Sequence, residues 1–233
     1  MLRALRQGAV ENPWFFRIIM GLIGVAFVIT MGWGFGNLDS RSENVVATVD
    51  KTKISLVEYQ RALQAIFQNY RDQVKETEGI DEKIFKQAAI DQLIDRQIWL
   101  KAAKELRISV SDRELMESIA RVPAFQKGGQ DGKPAAFDLE LYHQTLSRAH
   151  LSPEAFEQGQ REGLLIEKAR EVIQDSVQLT QKEMEEAKKN TPSGQDPDRA
   201  VSDALFLKRQ KALLAFSTNM KARSKIDIKQ ELL

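Results

Sequence analysis

The sequence predicts a mainly α-helical protein: one N-terminal transmembrane helix, then a multi-helix domain whose two ends meet in a small sheet. Three observations carry this. Strong helix formers dominate the 233 residues, and aromatic residues make up only 7% of them. Residues 18–35, "IIMGLIGVAFVITMGWGF", hold no charge. Three capping signatures, Ser55 with Glu58, Ser111 with Glu114 and Thr180 with Glu183, each stand just before a run with helical spacing.

The apolar run comes first. As a helix it is ~27 Å long, close to the hydrocarbon thickness of a bilayer. Trp14 and Trp33 lie near its ends, where amphipathic rings favour the interface. Arg3, Arg6 and Arg17 precede it, whereas Asp39, Arg41 and Glu43 follow. The positive-inside rule places residues 1–17 in the cytoplasm and everything after the span on the far side. The run exceeds a signal-peptide h-region, and "GFGNLDS" offers no A-x-A-like cleavage site. The expectation is an uncleaved single-pass anchor at 18–35, a linker at 36–44 and a folded domain over 45–233.

Within that domain, "VVATV" at 45–49 and Lys53–Ile54 flank a turn and form a hairpin. A helix starts after Ser55 and carries Tyr59, Leu63, Ile66, Tyr70 and Val74 on one face. Asp81 caps a second helix, 82 to about 106. Its apolar residues cover more than one stripe, so it is the central, buried helix. Ser111 opens a short helix that Pro123 closes. The segment 137–150 is amphipathic through Leu141, Tyr142 and Leu146. Ser152-Pro153 is an N-cap with proline at the first helical position, opening a helix to about 177. Thr180 starts another. "NTPSGQDPD" at 190–198 is a break, and a closing helix follows over about 199–225. "KIDI" alternates like a strand that closes the sheet with 45–49.

Little of this supports catalysis. The chain has no Cys, which removes disulfides, thiol chemistry and Cys-based zinc sites. Its 34 basic and 33 acidic residues give a net charge of +1, so no nucleic-acid partner is expected. The "GGQDGK" stretch ends in Gly-Lys but fails as a phosphate loop. Its glycine spacing is wrong, Pro134 stands where a hydroxyl is required, and no strand precedes it. His143 and His150 have no accompanying nucleophile. Asp95-Arg96 on the central helix is expected to be a structural ion pair or an end-on solvent contact. No catalytic residue, metal or cofactor is expected.

The order of motifs resembles a known family. "LIDRQIWLKAAKELRISVSDRELMESIARVPAFQ", a glycine-rich turn, and "FDLELYHQTLSRAHLSPEAFEQGQREGLLIEKAR" are similar to the SurA N-terminal-type chaperone domain. The likeness is greatest to the membrane-anchored, PpiD-like periplasmic version. The matching positions include Leu93-Ile94-Asp95-Arg96, Val110-Ser111-Asp112, Pro123-Ala124-Phe125, Phe137-Asp138, Tyr142, Phe156 and Arg161. "VVATVDKTKIS" and the closing "LKRQKALLAFSTNMKARSKIDI" match too. Two departures stand out. Arg107 sits where the family often has Gly, just past a helix end, so a left-handed conformation or a different cap is expected there. The family's parvulin prolyl isomerase domain has no room in 190–198, so isomerase activity does not carry over.

The resemblance implies a holdase in the inner membrane of a Gram-negative-type bacterium, its domain in the periplasm. Its clients would be unfolded polypeptides, outer-membrane protein precursors among them, met near the Sec translocon. Met116, Phe125, Phe137 and Tyr142, around the glycine-rich turn, are the candidate client contacts. Large apolar residues at helical spacing also serve as core, and that alternative stays open for all four. The alternative function is an envelope adaptor that docks a folded partner or a separate isomerase.

Overall fold

A computed structural model describes residues 45–73, 82–128, 136–191 and 196–233. The expected anchor at 18–35, the expected linker at 36–44, Val74, the expected cap Asp81 and most of "GGQDGK" lie outside them. Among the described residues, no helix is long and apolar enough to cross a membrane.

Seven α-helices and five short strands occur among the described residues. They are β1 (Val45–Val49), β2 (Thr52–Ser55), α1 (Leu56–Gln73), α2 (Glu82–Glu105), α3 (Asp112–Ala120), β3 (Gln126–Lys127), β4 (Ala136–Phe137), α4 (Leu139–Arg148), α5 (Pro153–Asp175), α6 (Gln181–Lys189), α7 (Pro197–Ala222) and β5 (Ile226–Ile228). The chain divides into two compact units. Residues 55–89 and 110–164 belong to one; residues 45–54, 90–109 and 165–233 belong to the other.

In the first unit the capping signatures do what their chemistry dictates. Ser55 Oγ accepts from the Glu58 amide at 3.2 Å, and Glu58 accepts from the Ser55 amide at 2.8 Å, so α1 starts where the box places it. Ser111 and Glu114 repeat the arrangement at α3. Phe85 packs on Phe67 and Tyr70 with ring centroids 4.6 and 5.2 Å apart, holding the start of α2 to the end of α1. Arg161 of α5 donates to Val110 O at 2.8 Å and to Asp112 Oδ1 at 2.7 Å, tying α5 to the first turn of α3.

The segment 137–150 is shorter as a helix than its pattern predicts. Asp138 takes the N-cap and accepts from the Leu141 amide at 2.9 Å, which starts α4 at Leu139 and leaves Phe137 in a strand. That strand, β4, pairs antiparallel with β3, Gln126 opposite Phe137 and Lys127 opposite Ala136. The glycine-rich turn therefore joins two strands of a ribbon and not two helices.

In the second unit the ends of the domain do meet. β1 is the middle strand of a sheet in the order β2-β1-β5. It runs antiparallel to β5, with Ala47 opposite Ile228, Thr48 opposite Asp227 and Val49 opposite Ile226. The hairpin turn is locked to the far end of the chain. Asp50, at φ 53°, donates its amide to Lys225 O at 2.7 Å and accepts the Lys225 amide on Oδ1 at 2.9 Å. Its Oδ2 accepts from Lys101 Nζ at 2.7 Å, and Lys101 also reaches Ser224 Oγ at 2.8 Å. The Lys101 ammonium and the Lys225 amide hold the Asp50 carboxyl below its ordinary range.

Central α2 buries Ile90, Leu93, Ile94, Ile98, Trp99, Ala102 and Ala103, as its all-round apolar pattern predicts. Asp95 pairs with Lys221 of α7 at 2.7 Å instead of with its neighbour Arg96, which is itself buried. Trp99 stacks on Phe216 of α7 at 5.5 Å, and the Arg170 guanidinium lies 5.1 Å from the indole centroid. Lys208 clamps α7 to the start of α6 through Glu183 at 2.7 Å and Gln178 O at 3.0 Å. The closing helix runs 197–222, slightly earlier than its pattern predicts, because Asp196 caps it and Pro197 takes its first position.

Two helices end in a left-handed non-glycine residue. At the end of α2, Arg107 has φ 55°. The Ile108 amide donates to Ala103 O at 2.9 Å and the Arg107 amide to Lys104 O at 3.1 Å, the two bonds of a Schellman cap. His150, at φ 52°, does the same after α4 through Leu151 to Leu146 O and His150 to Ser147 O.

Candidate functional site

The candidate site is built from the segment around the glycine-rich turn, in the first unit. Pro123 opens a single 3-10 turn over Pro123–Phe125. The turn delivers Phe125 to the interior, where it is fully buried. Phe125 O then accepts from the Asp138 amide at 2.8 Å, and Asp138 O accepts from the Tyr142 amide at 2.9 Å. Asp138 thus fixes the ribbon, the start of α4 and the position of Tyr142 together.

Phe125, Tyr142 and Phe156 form a closed triangle. Phe125 meets Tyr142 at 5.0 Å and 83°, and Phe156 at 5.3 Å and 84°; Tyr142 meets Phe156 at 5.9 Å and 66°. These are edge-to-face contacts, which place positive ring edges on negative ring faces and add about 0.5–1.5 kcal/mol each beyond area burial. Phe156 is fully buried and Tyr142 is nearly so. The Tyr142 hydroxyl lies 3.4 Å from Glu157 Oε1, too long for a strong bond. Burial first, and then the Glu157 charge, push its ionisation well above the ordinary phenol range. It therefore stays a neutral hydroxyl at any physiological pH and supplies no base.

The four candidate residues consequently separate. Phe125 and Tyr142 are packing groups inside the unit. Phe137 lies on Tyr142 at 5.9 Å and is 39% exposed. Met116 is 72% exposed on α3, whose other face buries Leu115 and Ile119. Leu139, 60% exposed at the first position of α4, joins Phe137 at the β4–α4 corner. Sequence reasoning passed over Leu139 because it started the helix too early. Asp138 was the available signal: as N-cap it puts Leu139 at the first helical position, where it stays exposed although its spacing to Tyr142 and Leu146 is that of one helix face.

The corner has a polar rim. Lys127 approaches Asp138 at 3.8 Å, and Gln126 Nε2 donates to Ala120 O at 2.7 Å. Gly128 begins the turn at φ 100°, a conformation that needs glycine. Among the described residues, no group of His, Asp and Glu is placed to hold a metal ion. The arrangement presents exposed apolar side chains on a rigid aromatic base, which suits contact with apolar segments of another chain.

The comparisons with known proteins bear on this geometry. A family model for the SurA-like N-terminal domain matches residues 1–170. The chain belongs to that family. The periplasmic chaperone PpiD of Escherichia coli K12 is 29% identical to it over 170 residues, covering 70% of this chain and 26% of the relative. PpiD of Haemophilus ducreyi is 27% identical over 170 residues, covering 71% of this chain and 26% of its own length. The SurA-like domain thus spans about a quarter of the length of the curated relatives it matches. One of the solved SurA-like chaperone structures of Campylobacter jejuni aligns with a TM-score of 0.49 at 14% identity, covering 81% of this chain and all of that one.

Several residues that carry the resemblance now have a physical role. Arg161 and Asp112 join α5 to α3. Phe125, Tyr142 and Phe156 are the triangle. Asp95 holds α7 through Lys221. The connection between α6 and α7, residues 190–196, has no room for a further folded domain.

Proposed function

We propose that this SurA-like chain is a holdase chaperone that binds unfolded or newly translocated polypeptides in the periplasm and performs no catalysis. The observation that carries the reading is the β4–α4 corner, where exposed Phe137 lies against Tyr142 of the buried Phe125–Tyr142–Phe156 triangle and exposed Leu139 follows it at the start of α4. Exposed apolar side chains beside a polar rim bind extended apolar segments weakly and with little sequence preference. Met116 extends the apolar offering from α3. Membership of the family, and the chaperone names of the PpiD relatives, support the same reading.

The apolar run at 18–35 is proposed as the inner-membrane anchor, with the N-terminus cytoplasmic and the folded units periplasmic. Tethering holds the binding surface where clients emerge from the Sec translocon and raises its effective concentration there. Outer-membrane protein precursors, whose strands alternate apolar and polar residues, are the proposed clients. Residues 37–233 at molar excess are expected to suppress aggregation of an unfolded outer-membrane protein diluted from urea. The double variant Phe137→Ser, Leu139→Ser is expected to lose most of that suppression. No suppression by the unmodified protein would overturn the holdase reading. Cross-linking in cells that recovers one folded partner in place of many clients would favour the adaptor. Acceleration of a proline-limited refolding reaction would overturn the absence of catalysis.

A further inference from the structure

We infer that α7 presents a self-complementary face and that two copies of the chain associate through it, antiparallel about Leu207. The observation begins with exposure. Phe206, Leu207 and Leu214 are 60%, 58% and 69% exposed, an unusual display of large apolar side chains along one helix. Around them, Asp203, Gln210, Lys211, Ala215 and Thr218 also face outward. They lie in rows spaced by four residues, the ridges that interlock when two helices cross.

The charges decide what covers this face. Most charged side chains of α7 are already engaged within the unit. Asp198 pairs with Lys188, Lys208 with Glu183, Arg209 with Asp175 and Lys221 with Asp95. Arg199, Asp203 and Lys211 pair with no described residue. Asp203 and Lys211 sit one turn before and one turn after Leu207 on the same outward row, so that stretch runs acidic, apolar, basic; Arg199, a further turn before, falls opposite the neutral Ala215 of an antiparallel copy. An antiparallel copy turned about Leu207 sets Asp203 against Lys211 twice, once on each side, with the two leucines between them. A parallel copy would set like charges together. An unfolded client or a lipid surface has no reason to match this order of charge.

The area sets the strength. Phe206, Leu207 and Leu214 offer roughly 300–400 Å² of apolar surface per copy. That is short of the ~1,600 Å² total of a standard specific interface, so the association is reversible and weak. It goes beyond the holdase reading and does not depend on it, because it uses none of the residues of the β4–α4 corner.

Cross-linking of the full chain in detergent micelles tests it. The native sequence has no Cys. Leu207→Cys places one thiol on the two-fold axis, and a short bis-maleimide is expected to join two copies well above the background set by Met116→Cys. In the Leu207→Cys background, Lys211→Glu is expected to cut the dimer yield about 10-fold, because two exposed attractions become two repulsions. Adding Asp203→Lys to Lys211→Glu restores the order of charge in reverse and is expected to recover the yield. Far-UV circular dichroism checks that each variant remains folded; both charged positions are exposed. A Leu207→Cys yield no higher than that of Met116→Cys overturns the inference. So does a yield that charge reversal leaves unchanged, or one that the double swap does not recover.

Discussion

Arg107→Gly should stabilise the protein, and the structure says by how much. Arg107 is the left-handed residue of the Schellman cap that ends α2, at φ 55°. A side chain with a Cβ in that region costs roughly 1–2 kcal/mol through its clash with the carbonyl. Glycine removes the clash but loses about 0.5–1 kcal/mol more backbone entropy on folding. The net expectation is a gain of about 0.5–1 kcal/mol. The two cap hydrogen bonds, Ile108 to Ala103 O and Arg107 to Lys104 O, use backbone atoms alone and survive the change. The arginine side chain is exposed, so little packing is lost. For a chain of this size the gain is a rise in Tm of about 1–4 °C. Thermal and urea unfolding of residues 37–233 measure it. Arg107→Ala is the control: alanine keeps the Cβ and should change stability little. A fall in stability for Arg107→Gly, or an equal rise for Arg107→Ala, refutes the argument, since either would show that the guanidinium and not the backbone sets the balance.

Four other outcomes follow from the geometry. Phe156→Ala opens a cavity in the aromatic triangle and should cost about 3–5 kcal/mol in chemical denaturation; Leu139→Ser, exposed at a first turn, should stay within about 0.5 kcal/mol while lowering client binding. Glu183 is held down to about 2, chiefly by hydrogen bonding to Lys208 and then by the Thr180 amide. Its folded value is depressed, so its contribution is fully present above the ordinary 4.5 and is lost as pH falls towards 2. The Tm difference between wild type and Lys208→Met should therefore narrow between pH 5 and pH 2.5; a constant difference would remove Glu183 as the cause. His150→Gly should stabilise less than Arg107→Gly, because His150 makes further interactions that glycine forfeits.

What could be read from the sequence, and what could not, divides by the range of the interaction. The capping boxes at Ser55, Ser111 and Thr180 are local, each complete within four residues, and each starts its helix where expected. The β1–β5 pairing is long-range yet was legible, because "KIDI" alternates charged and apolar residues as a half-buried strand does. The conformation of Arg107 was legible too, since a missing glycine after a helix narrows the options. Phe137 was misplaced because apolar spacing at 137, 141 and 142 fits a helix; the Asp138 cap breaks that continuity, and the backbone bond from Asp138 to Phe125 O, which fixes Phe137 in the ribbon, crosses a turn. The partner of Asp95 was hidden for the same reason: Lys221 is over a hundred positions away in sequence. At the candidate site, spacing brought Phe125, Phe137 and Tyr142 forward but could not say which of them face outward. Phe125 and Phe137 flank the same turn, and their separation into buried and exposed depends on Phe156, which belongs to another helix.

The boundary of the family match and the boundary of the folded unit do not coincide, and this gives a last expectation. The match ends at 170, inside α5. The second unit needs what comes after. β5 gives β1 its outer partner, Phe216 covers Trp99, Lys221 neutralises Asp95, and Lys225 with Ser224 completes the lock on Asp50 and Lys101. A chain ended at 170 would leave β1 with an open edge. It would also leave Asp95 without its cation and the face of Trp99 open to water. Residues 45–233 contain one tryptophan, Trp99, which is 3% exposed. Its fluorescence therefore reports this unit alone. Residues 45–170 should show Trp99 emission shifted to the red and quenched by iodide, whereas residues 45–233 should show a blue-shifted, protected indole. The first unit, with its triangle complete by Phe156, should keep its helical signal in both. Equal emission and equal quenching in the two chains would mean that α2 holds Trp99 without α7, and that the C-terminal segment decorates the fold instead of completing it.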